Sequence, residues 1–239
     1  MSFKDLNGMS APLVRKIGLL KDYLKVRPHH SLREGSKVID IGGICEYYDL
    51  LRSAVSPGEL YLLNIERHSV RACQSIVANA LQLPFCDETW DAVISFELVE
   101  HLTEPASLLS EVSRILRSDG LFVLSTPNLA DIYSRITFLF GYNPFNYDPS
   151  AYKFGSLSKV EIADRGHKSV LTFKGMKGLL GHYGFRIEKS YGYSYIESLY
   201  RRLDPQKEER IGFSNLRRVL GSVLPVSLSD GILFICKKV

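Results

Sequence analysis

The feature that most constrains the fold lies between Lys37 and Leu51. A short β-branched run, Lys37-Val-Ile-Asp-Ile41, ends directly in Gly42-Gly43 and then gives way to residues of helical pattern. A strand that runs through a tight glycine turn into a helix is the opening of a parallel βα unit, and such a turn lets a ligand approach the backbone beside the unpaired N–H groups of the helix start. By itself this device suits a dehydrogenase, a methyltransferase or a turn with no ligand.

The alternation continues along the chain. Leu60-Tyr-Leu-Leu63, Ser75-Ile-Val-Ala78, Trp90-Asp-Ala-Val-Ile-Ser-Phe96 and Leu121-Phe-Val-Leu-Ser125 read as further strands. Their continuous apolar character fits strands covered on both faces. A helix is predicted over 105–116, with Leu108, Leu109, Val112, Ile115 and Leu116 on one face and Ser118-Asp-Gly120 closing it. Before the first strand, Leu13, Ile17, Leu20, Tyr23 and Leu24 recur at helical spacing up to Pro28. A helix near 172–183, a strand at 185–191, a polar helical segment at 194–220 and a last strand at 231–237 complete the reading. Only about a dozen residues separate the second and third strands, so the helix near 68–74 must be short or irregular. The fold class expected is a three-layer α/β/α sandwich of Rossmann-like type.

At 239 residues, 45% hydrophobic and 23% charged, one globular domain is expected, with 1–34 as an N-terminal helical segment and with insertions at 131–170 and 193–225. Thirty basic against 26 acidic residues give no concentrated stripe of positive charge, which disfavours nucleic acid as a partner. Cys45, Cys73, Cys86 and Cys236 lie far apart without zinc-ligand spacing. They are expected to be reduced core thiols, and no metal site is expected. No run approaches the roughly 18 apolar residues of a membrane span, so the expected location is cytoplasmic.

Five linked segments narrow the function: Asn79-Ala-Leu-Gln-Leu-Pro-Phe85, Asp87-Glu-Thr-Trp-Asp-Ala-Val-Ile94, Glu97-Leu-Val-Glu-His-Leu102, Glu111-Val-Ser-Arg-Ile-Leu-Arg-Ser-Asp-Gly-Leu121 and Ser125-Thr-Pro-Asn128. In this order and spacing they resemble the methyltransferase-11 type of class I S-adenosylmethionine-dependent methyltransferases. The resemblance implies a mostly parallel seven-stranded sheet with an antiparallel last strand, S-adenosylmethionine as cofactor and S-adenosylhomocysteine as product. Carried over, Asp40, Gly42 and Gly43 would lie under the methionine half. Asn64, Ile65 and Glu66 would lie at the ribose, Asn79 and Ala80 at the adenine, and Phe96 over the sulfonium. The family's second and third glycines are replaced by Ile44 and Glu46, so the room left above Gly42-Gly43 decides whether a cofactor enters.

His101, just past the fourth strand, is the first candidate for a general base. Glu97 is its candidate catalytic partner, with Glu100 in the same loop and His167 as a second histidine. The acceptor implied is a small molecule, a glycan or a lipid-linked compound, methylated at oxygen. The aromatic stretch from Tyr142 to Phe154 reads either as a lid or as a local core. Two rival readings are a methyltransferase-like scaffold that has lost the cofactor and an NAD-dependent dehydrogenase, whose fingerprint has no place for the Leu-Pro-Phe and Glu-His segments.

Overall fold

A computed structural model describes residues 11–27, 32–66, 74–144, 166–193 and 225–239. Among them run α1 (Ala11–Val26), β1 (Lys37–Ile41), α2 (Tyr48–Val55), β2 (Glu59–Asn64), β3 (Gln74–Val77), β4 (Trp90–Phe96), α3 (Pro105–Ile115), β5 (Leu116–Pro127), α4 (Ile132–Leu139), α5 (Phe173–His182), β6 (Phe185–Tyr193) and β7 (Gly231–Lys238). The seven strands form one sheet in the order β3-β2-β1-β4-β5-β7-β6. Neighbours are parallel from β3 to β5, while β7 pairs antiparallel with both β5 and β6. The expected Rossmann-like sandwich, with its antiparallel last strand, is therefore present.

Side chains alternate across the sheet because successive strand residues point to opposite faces. Ile39, Ile41, Val93, Phe122, Leu124 and Phe234 pack under α3 and α5. Val38, Leu62, Ala92, Ile94, Val123 and Leu233 pack under α1 and α2. Each helix contributes its apolar stripe, such as Leu108, Leu109, Val112 and Ile115 from α3, and burying one such side chain stabilises by about 1.5–3 kcal/mol.

One boundary differs from the sequence reading. Ser118-Asp-Gly120 does not close α3, which ends at Ile115; the chain is already extended at Leu116 and bulges before it rejoins β4. Trp90 faces Leu116 but Ala92 faces Leu121, and the extra residues include Asp119 at a φ of 62°. Leu116 is fully buried, its carbonyl accepts from Lys238 Nζ at 2.7 Å, and Arg117 pairs with Asp91 at 2.6 Å. Tertiary partners thus straighten what local turn chemistry would have coiled.

Asn128, also fully buried, staples β5 to the start of β7 and to α5. Its Nδ2 donates to the Ser227 and Ser229 carbonyls at 3.0 and 2.8 Å, and its Oδ1 accepts from Ala130 and Phe173 N–H at 3.1 and 3.2 Å. Reduced core thiols were expected, but Cys45 is disulfide-bonded, Cys86 is free and exposed, and Cys236 alone among the described cysteines is a free, buried thiol. The helix expected near 68–74, most of the 131–170 insertion and the 194–220 segment lie largely or wholly outside the described residues. No described helix is long and apolar enough to cross a membrane.

Candidate active site

The strand order reverses direction between β1 and β4, since β2 and β3 extend to one side and β5 to the other. At such a switch point the loops leaving the two strands part and open a crevice at the carboxyl ends. The glycine turn after β1 and the loop after β4 are therefore neighbours, and the chain meets itself there at Leu98. A Cβ on Gly42 would stand 3.1 Å from Leu98 Cδ1, and Gly42 adopts a φ of 81° that only glycine takes without strain. A methyl on Gly43 would overlap the Asp40 carboxylate.

Asp40 sits beneath this bend, 6% exposed, and burial pushes its carboxyl up to about 8. Ile44 and Glu46, which replace the second and third glycines, are exposed, Ile44 by 38%. Neither is packed into the fold above the turn. The end of β2 is tied to the same bend: Gly42 N–H donates to the Leu63 carbonyl at 2.7 Å and Asn64 Nδ2 to the Gly43 carbonyl at 3.2 Å. Ile65 and Glu66 follow, both exposed.

On the β3 side, Ala78 N–H donates to the Asn64 carbonyl at 3.1 Å, which carries Asn79 and Ala80 to the carboxyl edge beside β2. Asn79 Oδ1 already accepts from Leu81 N–H at 2.9 Å, so a further acceptance at that oxygen would be shared. The Leu-Pro-Phe loop beyond is held by Arg114, whose guanidinium donates to the Leu83 and Phe85 carbonyls, to Asp87 and in a fork to Glu111, all within 3.0 Å. Glu111 also accepts from Leu83 N–H at 2.7 Å. The fork needs a planar guanidinium. Arg114→Lys is accordingly expected to cost about 2 kcal/mol, read as a lower urea midpoint at unchanged m-value; an unchanged midpoint would show that the loop holds itself.

The loop after β4 carries the expected acid–base candidates, and they separate into two groups. Glu97 has a φ of 52°, a conformation costing about 1–3 kcal/mol for a residue other than glycine. Its Oε1 is surrounded by donors: Lys16 Nζ at 2.6 Å, Tyr193 Oη at 2.6 Å and Ser125 Oγ at 2.7 Å. Burial opposes ionisation of Glu97, but the Lys16 ammonium and these hydrogen bonds outweigh it and hold the carboxyl below its ordinary value. Lys16 is 1% exposed and its ammonium lies 4.7 Å from the centre of the Tyr193 ring and 5.9 Å from that of Phe96. Sequence reading missed Lys16. The available signal was a lysine on the apolar stripe of α1, beside Ile17 and one turn before Leu20.

The second group is Glu100, His101 and His167. Glu100 is fully buried, and both its carboxylate oxygens and the adjacent Thr126 hydroxyl close no hydrogen bond. Burial, with the Glu97 carboxylate nearby, pushes it well above the carboxylate range. Its backbone carbonyl accepts from Lys168 and Ser169 N–H at 2.7 and 2.9 Å, which draws His167 in from a distant part of the chain. The two imidazoles stand edge to face with centres 4.9 Å apart. Phe96, at the end of β4, is half-buried and packs against the core under α1 and α2.

Comparisons with known proteins agree with this architecture. Residues 40–124 match the family model described as a methyltransferase domain. A protein of Mycolicibacterium smegmatis named as a probable S-adenosylmethionine-dependent methyltransferase is 42% identical over 72 residues, 28% of this chain and 26% of that one. The chain spans about a quarter of the length of this and the next two curated relatives. An uncharacterised protein of Methanocaldococcus jannaschii is 28% identical over 173 residues, 70% of this chain and 68% of that one. Among solved structures, a geranyl diphosphate methyltransferase in complex with S-adenosylmethionine superposes with a TM-score of 0.57 at 14% identity, covering 95% of this chain and 85% of that one. The segment 40–124 is thus similar to the methyltransferase domain of S-adenosylmethionine-dependent methyltransferases, and the sheet as a whole has the fold of solved members of that class.

Proposed function

We propose that the chain binds S-adenosylmethionine at the carboxyl ends of β1, β2 and β4 and transfers its methyl group to an oxygen of a small-molecule, glycan or lipid-linked acceptor. One observation carries the reading: the Gly42-Gly43 bend stands over a buried Asp40 at the switch point while Ile44 and Glu46 stay exposed. The departures from the family's glycine pattern therefore leave the bend itself intact, which favours an enzyme over a scaffold.

The cofactor supplies a methyl group already electrophilic on a sulfonium, so the chain mainly aligns acceptor, methyl and sulfur and excludes water. Such positioning is worth roughly 7–11 kcal/mol. Asp40 answers the cationic methionine half. Asn64 and Glu66 serve the ribose, Ile65 flanks it, and Asn79 and Ala80 serve the adenine. Phe96 offers its ring to the sulfonium. In transfer, the acceptor oxygen forms the C–O bond as the S–C bond breaks and its electron pair returns to sulfur. We assign His101 to the hydroxyl proton, either by taking it or, as developed below, by holding the cation that makes it acidic. Glu97, already accepting from three donors, acts as a positioning residue that fixes the β4 loop. Helix α4 and the residue after it expose Ile136, Phe138, Leu139 and Phe140, a surface suited to covering an acceptor with an apolar part.

Calorimetric titration is the test. Saturable heat is expected with S-adenosylmethionine and S-adenosylhomocysteine at submillimolar concentration and none with NAD. No heat with either sulfur ligand would leave the scaffold reading in place.

A further inference from the structure

A fully buried carboxyl group whose two oxygens both lack a hydrogen-bond partner is costly to the fold and calls for an explanation, such as an ion that the site would take. Glu100 is such a group, and it is not isolated. One ligand atom from each of Glu100, His101 and His167 lies within 4.8 Å of the other two. Two imidazoles and one carboxylate form the donor set that first-row divalent ions take on one side while keeping positions open on the other. Bonds of about 2.0–2.2 Å would bring the ligand atoms to roughly 3–3.5 Å from one another, so closure on an ion needs side-chain shifts of about 1 Å.

The scaffold around the three is already fixed. Glu100 and His101 share one short turn, Val99–His101, and the Glu100 carbonyl pins the backbone at Lys168 and Ser169. Glu97 stays outside the set because Lys16, Tyr193 and Ser125 hold it. The turn is also tied to the crevice, since Leu98 packs on Gly42 two residues before Glu100.

We propose that Glu100, His101 and His167 form a binding site for one first-row divalent transition ion, with open positions that take oxygen atoms of the acceptor. The acceptor role rests on the methyl-transfer reading; the ion site does not. A hydroxyl bound to the ion becomes more acidic, and on attack its proton leaves to solvent as the C–O bond forms and the S–C bond breaks.

The test uses the full chain stripped with EDTA and titrated with ZnCl2, MnCl2 and MgCl2 in the absence of S-adenosylmethionine, with Co2+ loading followed by visible absorption. Expected are one transition ion per chain, at least tenfold tighter binding of Zn2+ or Mn2+ than of Mg2+, and visible ligand-field bands of bound Co2+. Glu100→Gln and His101→Ala should each weaken binding at least tenfold and remove the bands, while exposed His182→Ala leaves both unchanged. Should Glu100→Gln fail to fold, the half-exposed His101 variant carries the comparison. Equal binding by the wild-type chain and His101→Ala, or no binding above the His182→Ala background, would overturn the site. Titration of the stripped chain with S-adenosylmethionine separates the two readings: ion binding without cofactor binding sinks only the methyl-transfer reading, and the converse sinks only this one.

Discussion

Replacing Lys16 by methionine is expected to destabilise the chain by about 3 kcal/mol, the lower end of the 3–5 kcal/mol range for removing one partner of a buried ion pair. The lower end applies because Glu97 keeps 27% of its side-chain surface in water while Lys16 keeps 1%. Methionine preserves the length and apolar stem, so the loss comes mainly from a carboxylate stranded beside Tyr193 and Ser125 at the end of β4. A chain of this size should lose roughly 6–12 °C in Tm. Lys16→Met combined with Glu97→Gln removes the stranded charge and should recover at least 1 kcal/mol relative to additivity. A single variant within 0.5 kcal/mol of wild type in urea unfolding would show that the pair contributes nothing.

Asp40 is expected to make the cofactor-free chain less stable as pH rises. The folded chain keeps the proton on Asp40 up to about pH 8, whereas an unfolded aspartate loses it near 3.8. Between those values the unfolded state binds fewer protons, so unfolding free energy falls with pH by up to about 1.4 kcal/mol per unit from this group and levels off above 8. Asp40→Asn should remove that slope and stabilise the apo chain by several kcal/mol at pH 9. On the proposed reading, in which the ionised Asp40 answers the ligand's positive charges, the same substitution should weaken S-adenosylmethionine by at least a hundredfold. Wild-type binding at pH 7 should then release close to one proton, seen as a dependence of calorimetric heat on buffer ionisation enthalpy. Identical pH slopes for wild type and Asp40→Asn would sink this account.

β2, β4, β5 and β7 were legible because strands covered on both faces read as apolar runs, and the turn at Gly42-Gly43 was legible because a bend over a buried acid has few sequence solutions. The start of β5 was not, because Leu116 and Arg117 are straightened by Trp90, Asp91 and Lys238, partners remote in the chain. The same limit hid the polar half of the site. Lys16 and Glu97 are 81 positions apart, and nothing in either neighbourhood names the other. His167 stands out in the sequence only as a second histidine candidate, and the backbone bonds from Lys168 and Ser169 to Glu100 bring it against His101. Spacing rules for metal ligands look for local pairs, and this cluster is assembled by the sheet.

β7 lies between β5 and β6, yet it is the last of the seven to be made. While the chain is being synthesised, the edge of β5 stands open and β6 has no neighbour to pair with. Both are invitations to another nascent chain. Any factor that shields newly made polypeptide would therefore matter most in the interval before residues 231–238 emerge, and a slow stretch of translation just ahead of them would lengthen the period of risk.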